Sequence, residues 1–230
     1  MKKIFSENRN HRKNAIMNWR THNFDHIANM RVVAEGFADS AKHLLNLTLE
    51  DNHDKKGDAL IFPILFNANH SIEVYLKAIA WALNNLLESD DTFNENHQLK
   101  ALTDDVKRLG NKLEKVHNKK GELIEPKSFD TLDEYLTEIY EKIERSIYKD
   151  DGTIKKIYDI TFSRYPLGRE LAPQFYITTF DNVTIDLENF LDVFTEIIKQ
   201  LDGKLTHYEA LLEGLAEAKQ YHSENAEYDQ

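Results

Sequence analysis

The hydrophobic residues of this chain recur at helical spacings along most of its length. In residues 24–49 they return every three or four positions, which places them on one face of an α-helix. The same periodicity predicts four further helices: over residues 58–88, over residues 97–117, from about Thr131, and from the cap residue Asp186 through Leu215. The pattern therefore predicts a chain that is mainly helical.

The pattern changes between the fourth and the last of these helices. Residues 154–167 and 174–185 are rich in β-branched and aromatic side chains, and the segment GRELAP separates them. We interpret them as the two strands of a short β-hairpin, about 154–185, that lies beside the helices. The predicted fold class is mainly α: an antiparallel bundle of about five helices with a short β-hairpin insertion before the last helix.

The length and composition fit this fold. A chain of 230 residues suits one domain, which we place at 23–220, between an N-terminal arm (1–22) and a tail (221–230). Eight glycines and four prolines against 30% charged residues favour long helices with few tight turns. The absence of cysteine excludes disulfides, thiolate metal sites and cysteine nucleophiles.

The charge of −11 argues against a dedicated, non-specific nucleic-acid binder, because such a protein needs a basic surface. The arm is nevertheless basic and suits RNA or an acidic partner, although short polar termini are often only solvated. The tail is acidic, and we predict that it is disordered. The longest apolar run, 59–66, is too short to cross a bilayer, and the N-terminus lacks a signal-like apolar stretch. We therefore expect a soluble, cytoplasmic protein with no membrane partner.

The second predicted helix carries the candidate chemistry. At about 100° per residue, Asn67, His70, Glu73 and Lys77 fall within roughly a third of its circumference. In a half-buried setting His70 and Glu73 could share a proton, and Lys77 could hold an anion. Three interpretations stay open: a buried structural network, a polar face toward solvent, and an active site.

Two further segments supply candidate side chains. His97 opens the third helix, where a histidine can simply cap the helix or pack. If the second and third helices form a hairpin, His97 starts remote from His70, although the two could still meet across a dimer interface. Arg164 and Tyr165 precede a proline, and the residue before a proline is held extended, which fixes the direction of Tyr165. The guanidinium of Arg164 suits a phosphate or a carboxylate, and it could equally pair with Glu73 in a structural role.

Taken in order, the segments DALIFPILFNANHSIEVYLKAI, NHQLKAL, FSRYP and IDLENF resemble a bacterial branch of the HEPN (higher eukaryotes and prokaryotes nucleotide-binding) superfamily over residues 58–198. The residues that carry the resemblance are His70, Glu73 and Lys77, spaced H-x-x-E-x-x-x-K, together with His97 and Arg164. It implies a helical bundle, often dimeric, that acts in phage defence, abortive infection or toxin–antitoxin pairs.

The chain departs from this family at its catalytic motif. Active HEPN ribonucleases carry an arginine, four to six further residues and a histidine near the start of a late helix. Here one pair, Arg20 and His26, fits that spacing, but it precedes the first long helix and about one such match is expected by chance. We therefore do not assign it as an active site.

The leading hypothesis is a HEPN-like protein that binds RNA or a nucleotide and could be a metal-independent endoribonuclease with a non-standard site. The candidate catalytic residues are His70 as acid or base, Glu73 as its orienting group and Arg164 as the stabiliser of phosphate charge; Lys77, His97 and Tyr165 are candidate binding residues. No glycine-rich phosphate loop or metal-ligand motif occurs in the sequence, so we expect no cofactor and no metal. The alternatives are a non-catalytic interaction module that forms a homodimer or binds a protein encoded nearby, and a small-molecule sensor.

Overall fold

The computed structural model describes residues 3–21, 24–118, 129–148, 153–168 and 171–228. Its elements in chain order are α1 (His26–Glu50), α2 (Gly57–Leu86), α3 (Leu99–Asn118), α4 (Asp130–Ile143), β1 (Glu144–Tyr148), β2 (Ile154–Tyr158), α5 (Phe175–Thr178) and α6 (Leu187–Tyr228). The mainly helical fold with a β-hairpin before the last helix is therefore confirmed. Parts of the predicted arm, of the GRELAP segment and of the tail, at 1–2, 22, 169–170 and 229–230, lie outside the described residues.

The helix α2 is the centre of the bundle, and it packs against α1, α3 and α6. Its apolar face, predicted from the sequence, is buried: Ile72, Tyr75, Leu76, Ile79 and Leu83 are each at most 1% exposed. Because helices cover α2 on several sides, its sequence is apolar far beyond a single stripe. None of the helices in the described ranges combines the length and the apolar character that crossing a membrane requires.

The first strand of the hairpin lies before the two segments that we predicted as strands. β1 continues directly from α4, and it pairs antiparallel with β2, with Glu144 opposite Tyr158. The residues between the two strands, 149–152, lie outside the described part of the chain. The hairpin therefore extends α4 and begins earlier than the predicted bounds of about 154–185.

The predicted second strand, 174–185, is wrong. This segment contains the one-turn helix α5, and its Phe175 and Tyr176 pack against the core. The predicted first strand ends at Tyr158, because Asp159 caps a 3₁₀ turn there: its carboxylate accepts a hydrogen bond of 2.9 Å from the Thr161 N–H. Aromatic and β-branched side chains pack equally well from short helices, so composition alone did not separate the two cases.

The helix α6 continues to Tyr228, so it includes most of the segment that we predicted to be a disordered tail. The sequence after Leu215 contains strong helix formers, namely alanine, glutamate, lysine and glutamine. The Gln220 side chain also donates a 2.8 Å hydrogen bond to Glu224, four residues later. The N-terminal arm differs, because it holds one 3₁₀ turn, His11–Lys13, and its side chains are largely exposed.

The connection between α2 and α3 runs back along α2. It begins with Glu88 in the left-handed backbone region (φ 53°), which ends the helix and reverses the chain. Successive contacts then join α2 to the connection: Asn84 to Thr92, Trp81 and Lys77 to Phe93, and Glu73 to His97. Consequently α3 begins level with the middle of α2, and the predicted separation of His97 from this part of α2 is wrong.

Candidate functional site

A cavity of about 150 Å³ lies where three segments of the chain meet. One wall is α2, the second is the end of the returning connection with the start of α3, and the third is the 3₁₀ turn Ile160–Ser163 with the residue after it. The lining residues are Phe66, Asn69, His70 and Glu73 from α2, His97 and Leu99 from the second segment, and Ile160, Ser163 and Arg164 from the third. Four residues predicted from the sequence, His70, Glu73, His97 and Arg164, therefore meet within one chain.

Glu73 is the centre of the polar contacts. Its Oε1 accepts a hydrogen bond of 2.8 Å from Lys77 Nζ, and His97 Nδ1 lies 2.8 Å from the same oxygen. Its Oε2 lies 3.7 Å from His70 Nδ1, which is longer than a normal hydrogen bond. The Glu73 side chain is 12% exposed and that of Lys77 is 9% exposed. Burial of both side chains excludes the interpretation that this face of α2 simply points to solvent.

The Glu73 carboxylate is ionised at neutral pH. Burial by itself raises the pKa of Glu73, but its interactions with His70, Lys77 and His97 outweigh that effect and lower the pKa to about 2. An ionised carboxylate can only accept hydrogen bonds. The nitrogen of each partner that faces it must therefore carry a hydrogen.

This requirement determines which ring nitrogen of His97 carries a hydrogen. Its Nδ1 carries the hydrogen that Glu73 accepts, so Nε2 is the nitrogen left to act on a ligand. The His97 side chain is 72% exposed, whereas Glu73 beneath it is buried. A buried carboxylate that orients an accessible imidazole is the arrangement from which histidine acts as a general base. The sequence suggested His97 only as a binding residue and assigned the imidazole oriented by Glu73 to His70. In the structure, His97 is the histidine that has this geometry.

His70 occupies a more enclosed position. Its ring stacks on Phe66 at a centroid distance of 5.8 Å with an interplanar angle of 8°. The ring of Phe37 in α1 meets it edge-on at 4.4 Å. These two contacts hold the imidazole in one plane, with 33% of the side chain exposed at the cavity.

Arg164 reaches the cavity from the 3₁₀ turn. Its backbone N–H donates to the Thr161 carbonyl at 2.8 Å, which ends the turn and directs the side chain back toward α2. The guanidinium lies 5.6 Å from the centroid of Phe66, within cation–π range. Within the described residues no carboxylate lies in ion-pair distance of Arg164, so the structural pair with Glu73 that the sequence allowed does not form.

Lys77 and Tyr165 lie beside the cavity and do not line it. Lys77 is buried behind Glu73, with its Nζ 5.7 Å from the centroid of Phe93. Tyr165 is 58% exposed, and its ring lies 5.9 Å from the Arg164 guanidinium. The structure therefore separates the predicted binding residues into a buried cation that balances Glu73 and an exposed ring outside the cavity.

Sequence reasoning missed two buried polar residues of the lining, Asn69 and Ser163. Asn69 is 6% exposed; its Oδ1 accepts a 2.8 Å hydrogen bond from the Tyr135 hydroxyl, while its Nδ2 has no partner among the described residues. The spacing of four from Asn69 to Glu73 was the signal that could have found it. Asn67, which the predicted stripe included instead, does not line the cavity.

The Arg20–His26 pair remains apart from this cavity. His26 begins α1, and its ring stacks on Trp81 at a centroid distance of 5.3 Å. Neither residue lines the cavity. Arg20 and His26 therefore do not contribute to this site.

The site combines an oriented imidazole, a second histidine and a guanidinium around a small cavity. This set suits proton transfer next to an anionic group. Across the described parts of the chain, no group of three or more His, Asp or Glu side chains is placed to hold a metal ion. No protein-family model, no curated protein and no solved structure matches this chain. The chemistry of its own side chains therefore carries the inference about its function.

Proposed function

We propose that this chain is a HEPN-like RNA-binding protein of a prokaryotic defence or toxin–antitoxin system, and that the cavity at Glu73 is its binding site. The observation that carries the proposal is that three segments distant in the chain meet at one cavity. The helix α2 supplies His70 and Glu73, the segment before α3 supplies His97, and the residue after the 3₁₀ turn is Arg164. Arg164 supplies a positive charge that no described carboxylate neutralises, and RNA presents the complementary charge. The family resemblance supports the same class of ligand.

The arrangement also supports cleavage of RNA without a metal. In this proposal His97 Nε2 removes the proton of a ribose 2′-hydroxyl, and the 2′-oxygen attacks the adjacent phosphorus. The 5′-oxygen leaves with a proton donated by His70, which yields a 2′,3′-cyclic phosphate and a 5′-hydroxyl end. Arg164 stabilises the charge that develops on the non-bridging oxygens, and Glu73 orients His97 throughout.

The direct test is growth of cells after induction of the wild-type chain and of the variants His70→Ala, His97→Ala and Arg164→Ala, with total RNA separated on a gel. We expect growth arrest and RNA fragments with the wild type, and neither with the variants at equal protein levels. Matched controls are His43→Ala and Arg108→Ala, because both residues are exposed and neither lines the cavity. These controls should behave like the wild type.

A non-catalytic interaction module is the second candidate function, and the buried Lys77–Glu73 ion pair favours it. In that case the polar cluster is structural, and it holds the connection between α2 and α3 against α2. Purified protein at several concentrations, measured by light scattering, tests the homodimer that this function and the family resemblance both predict. Intact RNA and normal growth together with a stable dimer would support the module and contradict the ribonuclease.

A further inference from the structure

We infer that the cavity is a receptor for a single phosphoryl group, and that Asn69 and Ser163 are binding residues for it. The inference rests on the proposed function, and it names the part of the ligand that the cavity encloses. Bases and sugars of the same nucleotide would then lie outside the cavity, on the side where Tyr165 is exposed.

The size of the cavity points to a small group. Its volume is about 150 Å³, whereas pockets for whole small-molecule ligands begin at about 300 Å³. The volume therefore favours a small group such as a phosphoryl over a complete nucleotide.

The lining supplies hydrogen-bond donors that can serve a ligand. The Asn69 Nδ2 is buried and has no partner in the described part of the chain. Ser163, in the 3₁₀ turn on the opposite wall, is 7% exposed and adds a hydroxyl group to the lining. A buried donor without a partner costs about 1–3 kcal/mol, and a bound acceptor removes that cost. The unpartnered amide of Asn69, together with the Ser163 hydroxyl, therefore points to an oxygen-rich ligand.

The charges agree with an anionic ligand. Lys77 neutralises Glu73 by direct contact, and the Arg164 guanidinium is left as the uncompensated charge of the lining. The donors Asn69, Ser163 and Arg164 belong to different walls of the cavity, α2 on one side and the 3₁₀ turn on the other. A tetrahedral phosphoryl group directs its oxygens to more than one wall, whereas a planar carboxylate has two oxygens in one plane. Phosphoryl is therefore the chemical class that the lining fits best.

The experiment measures binding by titration calorimetry with four probes: inorganic phosphate, adenosine 5′-monophosphate, adenosine, and a 12-nucleotide single-stranded RNA. We expect the monophosphate to bind at least tenfold more tightly than adenosine, and inorganic phosphate to compete with the RNA. Equal affinity for adenosine and its monophosphate would overturn the inference, because the cavity would then recognise the nucleoside.

The variants test the two new residues. Asn69→Asp keeps the oxygen that accepts from Tyr135 and replaces the free donor with an anionic oxygen, so it should weaken every phosphoryl ligand at least tenfold. Asn67→Asp is the matched control, because it adds the same charge to α2 outside the cavity lining, and it should change affinity less than twofold. Ser163→Ala should weaken binding of the phosphoryl ligands about threefold. If Asn69→Asp does not fold, this variant tests the inference in its place.

The outcomes separate this inference from the proposed function. RNA binding that neither Asn69→Asp nor Ser163→Ala weakens would overturn the inference and leave the proposed function standing. Binding of inorganic phosphate without binding of RNA or the monophosphate would support the phosphoryl receptor and contradict the proposed function. Absence of binding for all four probes would overturn both.

Discussion

His97 lies 24 residues after Glu73 in the chain, yet its Nδ1 is 2.8 Å from the Glu73 Oε1. One partner of this contact is buried and the other is exposed, so the imidazole links a fixed negative charge to the mouth of the cavity. The contact holds the ring in one orientation and determines which nitrogen carries the hydrogen. Four predictions follow the consequences of this pair and of its neighbours.

The first prediction concerns the tautomer of His97. Because the ionised Glu73 accepts a hydrogen bond at Nδ1, we expect the neutral ring to carry its hydrogen on Nδ1 and to leave Nε2 bare. Two-bond ¹⁵N–¹H NMR spectra of histidine-labelled protein distinguish the two forms. The variant Glu73→Gln should lose the strong preference, whereas His43 should give the same signals in both proteins. A His97 ring with its hydrogen on Nε2 would contradict this assignment.

The second prediction concerns the stability of the buried ion pair. Removing the carboxylate in Glu73→Ala leaves the buried Lys77 without its acceptor, which should destabilise the fold by about 3 kcal/mol. In a chain of this size that corresponds to a melting temperature lower by roughly 6–12 °C. Thermal denaturation followed by circular dichroism measures the effect.

A double variant provides the control for this ion pair. Glu73→Ala with Lys77→Met removes both charges and leaves apolar groups near Phe93, so it should be more stable than Glu73→Ala alone. If the free energy of unfolding lost by the double variant equals the sum of the losses of the two single variants, the interaction between Glu73 and Lys77 does not stabilise the fold.

The third prediction concerns the stability of the fold at acidic pH. The pKa of Glu73 falls from 4.5 to about 2 in the folded chain, so its ionisation contributes about 3 kcal/mol of stability. Because the folded pKa is the lower one, this contribution is complete above about pH 4.5 and is lost as the pH falls toward 2. Urea unfolding at several pH values should show a steeper acid loss for the wild type than for Glu73→Gln. Parallel curves for the two proteins would contradict a lowered pKa at Glu73.

The fourth prediction concerns the planar guanidinium of Arg164. The variant Arg164→Lys keeps the charge but loses the planar guanidinium, which lies in cation–π range of Phe66 and can donate two parallel hydrogen bonds to a phosphate. RNA affinity should therefore fall about tenfold, or ~1.4 kcal/mol. The melting temperature should stay within about 2 °C, because Arg164 is exposed and outside the core. Arg108→Lys on α3 is the matched control, and fluorescence anisotropy with labelled RNA measures both. A drop in affinity that is equal for the two variants would indicate a general charge effect.

The sequence predicted the helices well because their hydrophobic periods are long and regular. The buried positions on α2, such as Tyr75 and Leu83, followed directly from this period. The polar group at His70, Glu73 and Lys77 was visible for the same reason, since spacings of three and four keep side chains on one face. Features that depend on local helical geometry were therefore within reach of the sequence.

Features that depend on the path of the connections could not be predicted from the sequence. The return of the chain along α2 rests on contacts such as Trp81 with Phe93, and aromatic pairs at this sequence distance leave no periodic signal. The position of His97 follows from that path, so the sequence placed it remote from His70. Asn69 was missed because its importance lies in an unused donor, which only the surrounding packing reveals. The end of β2 depended on Asp159 as a turn cap, which competed with the strand-like composition that follows.

The returning connection also makes the site sensitive to its own assembly. The contact of Phe93 with Trp81 helps to bring the end of the connection to Glu73. One residue inserted between Glu88 and Phe93 would shift the register of every later contact, while leaving the helices themselves unchanged. The bundle and the site therefore share this segment, because Phe93 packs on the core and His97, which follows it in the chain, contacts Glu73.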